Sequence, residues 1–447
     1  MERIIIVGGG IAGVSSALGA RKQNQEIEII LIEKEKYAGY LRDKLPYIIS
    51  GNKKDYKDYD VIPAIDYFIK NRINVLLSSF VKKIDLNNKK ITFIDSEKHE
   101  RILNFTKLII ATGTLPVKLN VRGCELKNIF ELKTLEDAIK IKESVIKNKK
   151  VIIIGSGLVA LETAEVLFKR GCKVVIVSPE KEILYKIFDE KFGQIIREKI
   201  EKSGIEIITE NRVKAFYGKG KVEAIETEKG IIPCDYSLLA LGVKPNTDLA
   251  REAGIPLGKY EGIIVNERME TEREDVYAAG DCVEYKNFIT NEETPIQTTT
   301  LAFQGGEIAG KNAAGGNEKI GRIISNICAK VFGSEIASVG ITCREAKNFK
   351  KKILSINTIF NKNDQPIYTK VRSYINLIFD GENKKLIGAQ MIGKRAGTWG
   401  NFLALAIIKE VKIDEIAYFC NSYSPFLEET VVAGVVAAAK KLLDSIC

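Results

Sequence analysis

Residues 3–13 read Arg3-Ile4-Ile5-Ile6-Val7-Gly8-Gly9-Gly10-Ile11-Ala12-Gly13, and residues 150–160 read Lys150-Val151-Ile152-Ile153-Ile154-Gly155-Ser156-Gly157-Leu158-Val159-Ala160. The second stretch echoes the first 147 residues later. Each opens with a run of β-branched apolar residues, as in a strand buried on both faces, and turns through glycines into a segment with helical apolar spacing. Those helices are predicted over Ala12 to Gln23 and Leu158 to Arg170, and a second apolar strand follows each, at Glu28 to Ile32 and Lys173 to Val177. The chain therefore carries a βαβ unit twice.

In the first unit Gly8, Gly10 and Gly13 form a G-x-G-x-x-G turn between strand and helix. Such glycines permit a tight turn, close approach of backbone N–H groups to a pyrophosphate, and close helix packing, while the helix N-terminus supplies partial positive charge. Glu33 ends the next strand 20 residues after Gly13, where a carboxylate accepts hydrogen bonds from both hydroxyls of a ribose. The second unit has Gly155 and Gly157, with Ala160 in the third position. Aligning the strands puts Ser178 opposite Glu33, whereas counting residues selects Glu180, so the choice between NADH and NADPH stays open. Two dinucleotide sites in one chain point to a flavin and a nicotinamide, because a hydride donor needs an acceptor held against it. FAD with NADH or NADPH is the expected pair.

The rest of the composition narrows the class. The 447 residues suit about three domains. Lys and Arg number 68 against 58 Asp and Glu, a net charge of +10 scattered in short clusters such as Lys350 to Lys352, which reads as solvated surface rather than a nucleic-acid stripe. Eight cysteines show no C-x-x-C and no close pairing, so neither a zinc ribbon nor a disulfide framework is expected, and a reducing cytoplasm fits. The cysteines from 124 to 420 read as small buried residues and Cys447 as an exposed terminal one. The longest apolar run, Val431 to Ala439, is too short to span a membrane, and the N-terminus enters a strand without a signal-peptide core. The single histidine, His99, lies in a polar stretch read as a surface turn, which excludes most histidine-dependent triads and metal sites.

Further motifs end strands in small-residue turns: Ala111-Thr112-Gly113, Leu239 to Gly242, and Ala278-Ala279-Gly280-Asp281. With the two fingerprints, Leu161-Glu162, and Thr298 to Gly310, the sequence resembles the two-dinucleotide-domain flavoproteins of the pyridine nucleotide-disulfide oxidoreductase superfamily along its whole length. The resemblance implies an α/β fold with two Rossmann-like domains, the FAD domain being interrupted by the NAD(P) domain, and a C-terminal α+β dimerisation domain. The boundaries it implies are 1–113 and 244–320 for FAD, 114–243 for NAD(P)H and 321–447 for dimerisation. It places FAD on Gly8, Gly10, Gly13, Glu33, Ala111 to Gly113, Gly280 and Asp281. NAD(P)H falls on Gly155, Gly157, Ala160, Ser178 and Gly242, with Glu162 near the nicotinamide. The Tyr423-Ser424-Pro425 run is similar to part of the dimerisation domain.

One position breaks the pattern. The full-length chain is most similar to NADH oxidases, NADH peroxidases and coenzyme A disulfide reductases, which carry a redox cysteine just before Leu-Pro-Tyr. Here Leu45-Pro46-Tyr47 is present, but the cysteine position is Asp43, followed by Lys44. A thiol relay needs a low-pKa thiolate beside the flavin, so disulfide reduction is disfavoured. The replacing run Tyr40-Leu41-Arg42-Asp43-Lys44-Leu45 resembles NADH:rubredoxin oxidoreductases and nitrite-reductase-like flavoproteins, which implies that Arg42 contacts FAD. The expected activity is hydride transfer from NAD(P)H to FAD, then electron transfer to an external acceptor such as an acidic rubredoxin or ferredoxin. Glu162, Lys44 and Asp43 are the catalytic candidates, with Lys44 stabilising reduced FAD and Asp43 tuning it. Oxygen as acceptor, giving peroxide, is the alternative, and a non-catalytic flavin-binding subunit or redox sensor is a third reading. A homodimer is expected, and no metal, membrane or nucleic acid.

Overall fold

The computed structural model describes residues 2–51, 65–361, 372–420 and 430–446. Tyr423 to Pro425 and Cys447 lie outside the described residues. The strand Arg3–Val7 is the centre of a five-stranded parallel sheet whose order is 276–278, 107–110, 3–7, 28–32, 74–76. Ile4, Ile5 and Ile6 are wholly buried, the environment that a continuous β-branched run demands. Strand 107–110 joins just before the second unit begins, and strand 276–278 from far along the chain, after that unit has been completed.

That second unit builds its own parallel sheet, ordered 206–208, 173–177, 150–154, 236–239, 129–131. Its helix, Leu158–Lys169, starts on Gly157, as the first unit's helix Ile11–Gln23 starts on Gly10. A second helix, Thr299–Ala313, lies across Ile11–Gln23 with backbones nearly touching. A Cβ at Gly306 would meet the Ala12 carbonyl at 2.3 Å, and one at Gly310 the Ser16 carbonyl at 1.9 Å. The small residues of the Thr298 to Gly310 motif are thus a crossing surface. From Asn326 the chain forms an antiparallel sheet of order 326–331, 334–340, 386–392, 372–380, 353–361, covered by helices Ala396–Ile408 and Thr430–Ile446. Among the described residues no helix is long and apolar enough to cross a membrane.

Most predicted elements lie within a residue or two of their place. The helix Ala396–Ile408 starts directly after Arg395, which lies in the left-handed region, φ +62°. Gly397 and Gly400 weaken its start as a sequence signal, but they let it pack closely, as Gly400 lies 3.2 Å by its would-be Cβ from Ala337. His99 stands in the exposed turn between strands 90–94 and 100–104, as read. The cysteines require correction. Cys172, Cys234 and Cys282 are buried, Cys124 and Cys343 are half-buried, but Cys328 and Cys420 are exposed. Cys328 is on an edge strand, and Cys420 lies three residues past the end of helix Ile413–Ala417.

Candidate active site

The glycine turn of the first unit opens onto a cleft of about 650 Å³, within the range of roughly 300–1,000 Å³ usual for ligand sites. Gly8 has φ +106°, and a Cβ there would lie 2.2 Å from the Ala111 carbonyl, so the turn and the Ala111–Gly113 turn close on each other only through glycine. Gly10 instead faces open space, which leaves the N-terminus of helix Ile11–Gln23 bare toward the cleft. Gly13 packs its Cα against the Gly8 carbonyl, where a Cβ would come within 1.8 Å. The three glycines therefore do three separate jobs, of which only Gly10's is to leave room.

Glu33 is buried at the end of its strand and accepts N–H bonds from Gly9 (2.5 Å) and Glu35 (2.9 Å). Burial raises its pKa, and those N–H groups pull the other way. A carboxylate has about four acceptor positions, so capacity for a ribose diol is left. Arg42 reaches the cleft wall from the turn Arg42–Lys44, paired with Glu35 at 2.7 Å and donating to the Lys133 carbonyl at 2.5 Å. Thr112 hydrogen-bonds the Asn246 carbonyl at 2.6 Å, and Gly280 and Asp281 close the far side. Burial raises the Asp281 carboxyl, opposed by the cation of Lys133.

Lys133 is the residue that the motifs did not point to. Its ammonium donates to Thr114 inside the cleft, and burial, then the charge of Arg42, push its pKa down to about 8. It sits just before the capping-box threonine of helix Leu135–Ser144, a position with no hydrophobic period to mark it. Glu35 was equally unmarked, though its place two residues beyond Glu33 could have suggested it.

In the second unit Gly155, φ +117°, abuts the Ala240 carbonyl as Gly8 abuts Ala111. Gly157 and Gly242 face open space, and Ala160 is wholly buried, where its methyl fills the place of the third glycine. Ser178 is buried, and its hydroxyl lies 2.8 Å from that of Ser156 in the glycine turn. A neutral hydroxyl pair therefore stands where the first unit has a carboxylate. Both units fit a dinucleotide: open space over the second glycine of each turn, a bare helix N-terminus, and polar groups at the strand ends.

The two units meet through helix Leu45–Ile49, which packs Leu45, Ile48 and Ile49 against Leu161 and Ala164 of helix Leu158–Lys169. This brings Asp43 and Glu162 together. Asp43 lines the cleft and accepts a hydrogen bond from Thr299. Burial, then the charge of Asp43, raise the Glu162 carboxyl to about 7. Lys44 belongs to the same turn but is not among the cleft-lining residues. Among the described residues no cysteine lines the cleft; Cys282, next to Asp281, is wholly buried and directs its thiol to the Ile110 and Ala279 carbonyls. Among the described residues no three His, Cys, Asp or Glu side chains gather as a metal site.

Comparison with known proteins agrees with this geometry. The Pyridine nucleotide-disulphide oxidoreductase family matches residues 2–306, and its dimerisation domain matches residues 328–434. The chain belongs to this family. It is an oxidoreductase whose cofactors are FAD and NAD(P)H. It is 33% identical to an NADH oxidase of Methanocaldococcus jannaschii over 98% of this chain and 99% of that protein. It is also 33% identical to an NADH-rubredoxin oxidoreductase of Clostridium acetobutylicum, over 76% of this chain and 81% of the relative. Among solved structures, an NAD-dependent persulfide reductase from A. fulgidus superposes with a TM-score of 0.92 at 26% identity, covering 99% of this chain and 83% of the other. The acceptors in these names differ although the cofactors do not.

Proposed function

We propose that this protein passes hydride from NAD(P)H to FAD and then electrons directly to an external carrier, a small acidic electron-transfer protein of the rubredoxin or ferredoxin kind. The observation that carries the reading is the cleft wall itself: Asp43 occupies the position that a redox cysteine would take, and no thiol lines the cleft among the described residues. Bound FAD supplies the conversion of a two-electron donor into single electrons. Gly10 and the helix N-terminus behind it bind its diphosphate, and Glu33 orients its adenosine ribose. Arg42 and Lys133 offset the diphosphate charge, and Asp281 orients the ribityl end. Gly155 and Gly157 would bind the diphosphate of NAD(P)H, and Glu162, on the helix that Gly157 opens, would lie on the nicotinamide side.

The residue boundaries proposed for the domains are 1–113 with 244–320, 114–243 and 321–447. Exposed Phe402, Leu405 and Phe419 form an apolar patch on the last of these, with the two phenyl rings 5.5 Å apart, which supports assembly of a homodimer through it. The net charge of +10 supports an acidic carrier, since complementary charge raises the association rate.

Oxygen as acceptor, with release of peroxide, is the second reading, supported by the relative named NADH oxidase. Anaerobic reduction of the yellow protein by NADH or NADPH, followed by mixing with air or with oxidised rubredoxin, separates the two. Fast reoxidation by rubredoxin and slow reoxidation by air is the expected result. Reoxidation by air at the turnover rate with stoichiometric peroxide overturns the carrier assignment.

A further inference from the structure

Glu35 lines the cleft of the first unit beside Arg42 and Lys133, so a carboxylate stands on the wall that receives a diphosphate. Its place is fixed by the backbone on both sides: its N–H donates to the Glu33 carboxylate at 2.9 Å, and its carbonyl accepts from the Ser78 N–H at 3.0 Å. Both carboxylate oxygens are engaged. Oε1 accepts from the Arg42 guanidinium at 2.7 Å, and Oε2 accepts from the Tyr40 hydroxyl at 2.6 Å. Only 13% of the Glu35 side chain is exposed, which sets this pair apart from solvent-screened surface ion pairs.

The three side chains form a chain of contacts whose two ends reach the second unit. Tyr40 is buried among that unit's apolar core, and its hydroxyl accepts from the Leu135 N–H at 3.3 Å. Burial holds this hydroxyl well above the ordinary tyrosine range, so it keeps its proton and remains a donor to Glu35. Arg42 lies with its guanidinium carbon 5.0 Å from the centre of the Tyr40 ring and donates from its other terminal nitrogen to the Lys133 carbonyl at 2.5 Å. A guanidinium is planar, so fixing both terminal nitrogens also fixes the direction of its remaining N–H groups. Among the described residues those groups make no hydrogen bond.

Resting on the reading of Arg42 as a ligand of the cofactor's diphosphate, we infer that Glu35 is a positioning residue for FAD: held by Tyr40, it orients the Arg42 guanidinium so that the remaining N–H groups serve the diphosphate. The consequence is opposite in sign to that of charge alone. A bystander carboxylate repels a diphosphate, and its removal tightens FAD binding. A carboxylate that acts through Arg42 contributes more by orienting the guanidinium than its own charge opposes, and its removal weakens FAD binding. Glu35→Gln keeps the size of the side chain, but whichever way the amide is turned its NH2 meets either the Arg42 guanidinium or the Tyr40 hydroxyl, so one of the two contacts is lost.

The test is a double-mutant cycle on the dissociation constant for FAD, read from the change in flavin fluorescence when flavin-stripped protein is titrated with FAD, with circular dichroism of each flavin-free variant as the check on folding. Glu35→Gln is expected to raise the constant by about fivefold or more, and to leave it unchanged or lower it in an Arg42→Met background, because groups in one network lose their coupling when either is gone. Tyr40→Phe removes only the hydroxyl and is expected to weaken binding in the same direction, again only where Arg42 is present; it carries the comparison if Glu35→Gln does not fold. Unchanged or tighter FAD binding in Glu35→Gln, or equal weakening in both backgrounds, overturns the proposal. If Arg42→Met alone leaves FAD binding unchanged, the reading of Arg42 as a diphosphate ligand is what fails, and the positioning role falls with it.

Discussion

Lys133 lines the cleft of the first unit beside Arg42, and its position was set by a loop rather than by a motif. Replacing it with Met removes the positive charge facing Asp281 and the cofactor, and the dissociation constant for FAD is expected to rise by about tenfold or more, read from flavin fluorescence on dilution, as loss of a charge-assisted contact of about 1.5–3 kcal/mol implies. The flavin-free protein offers a second readout. A lysine held near 8 in the folded chain and near 10.4 unfolded leaves the unfolded state with more bound protons between those values, so stability rises with pH across that window. Differential scanning from pH 8 to 10 should show the melting temperature gaining on a Lys133→Met control. If the two curves run parallel, the buried-ammonium account of this residue is wrong. The place of Glu33 in the cleft, by contrast, was legible from sequence, since the end of the strand after the glycine turn lies beside that turn. Lys133 was not, because nothing local distinguishes a cleft lysine from the other lysines of a basic chain.

The two strand–turn–helix elements repeat one design, and equivalent substitutions should separate their tasks. In Gly8→Ala the methyl would strike the Ala111 carbonyl at 2.2 Å at φ +106°; in Gly155→Ala it would strike the Ala240 carbonyl at 2.1 Å at φ +117°. Backbone strain of this kind costs on the order of 1–3 kcal/mol, besides the displaced neighbour. Gly8→Ala is expected to purify with at most a small fraction of its flavin, measured by the visible absorbance against protein. Gly155→Ala is expected to remain yellow and to lose at least tenfold in the rate of anaerobic reduction by NAD(P)H. Equal flavin loss in both would contradict the division of labour between the units. Sequence periodicity placed both elements within a residue, as strand and helix periods are local properties. It could not show that Gly306 and Gly310 pack against Ala12 and Ser16, or that Gly10 and Gly157 face open space, since these depend on what lies across the gap.

At the scale of the whole molecule, Asp189 ties the second unit to the C-terminal sheet. Its carboxylate accepts from the backbone N–H groups of Cys343 (3.1 Å) and Arg344 (3.3 Å) and from the amides of Asn376 (3.2 Å) and Gln390 (2.9 Å). The Arg344 guanidinium stacks on Tyr185 with 3.8 Å to the ring centre, and Ser338 donates to the Ile187 carbonyl at 2.7 Å, so the segment 185–189 is held at several points. Asp189→Ala would strand several donors at once, for an expected loss of about 2–4 kcal/mol, visible as a lower denaturation midpoint. A change within about 0.5 kcal/mol would show that the two parts are held together by apolar packing alone.

The sequence by itself determined the two βαβ units, their glycine turns, the family and the missing thiol at Asp43, because each is written in residues close together along the chain. The tertiary structure decided what no local pattern carries: that strands 107–110 and 276–278 complete the first sheet, that Lys133 and Glu35 belong to the cleft, and that Glu162 meets Asp43 across packed helices. Burial and the field of a neighbouring charge act through space, so the raised pKa of the Glu162 carboxyl exists only once the chain has folded.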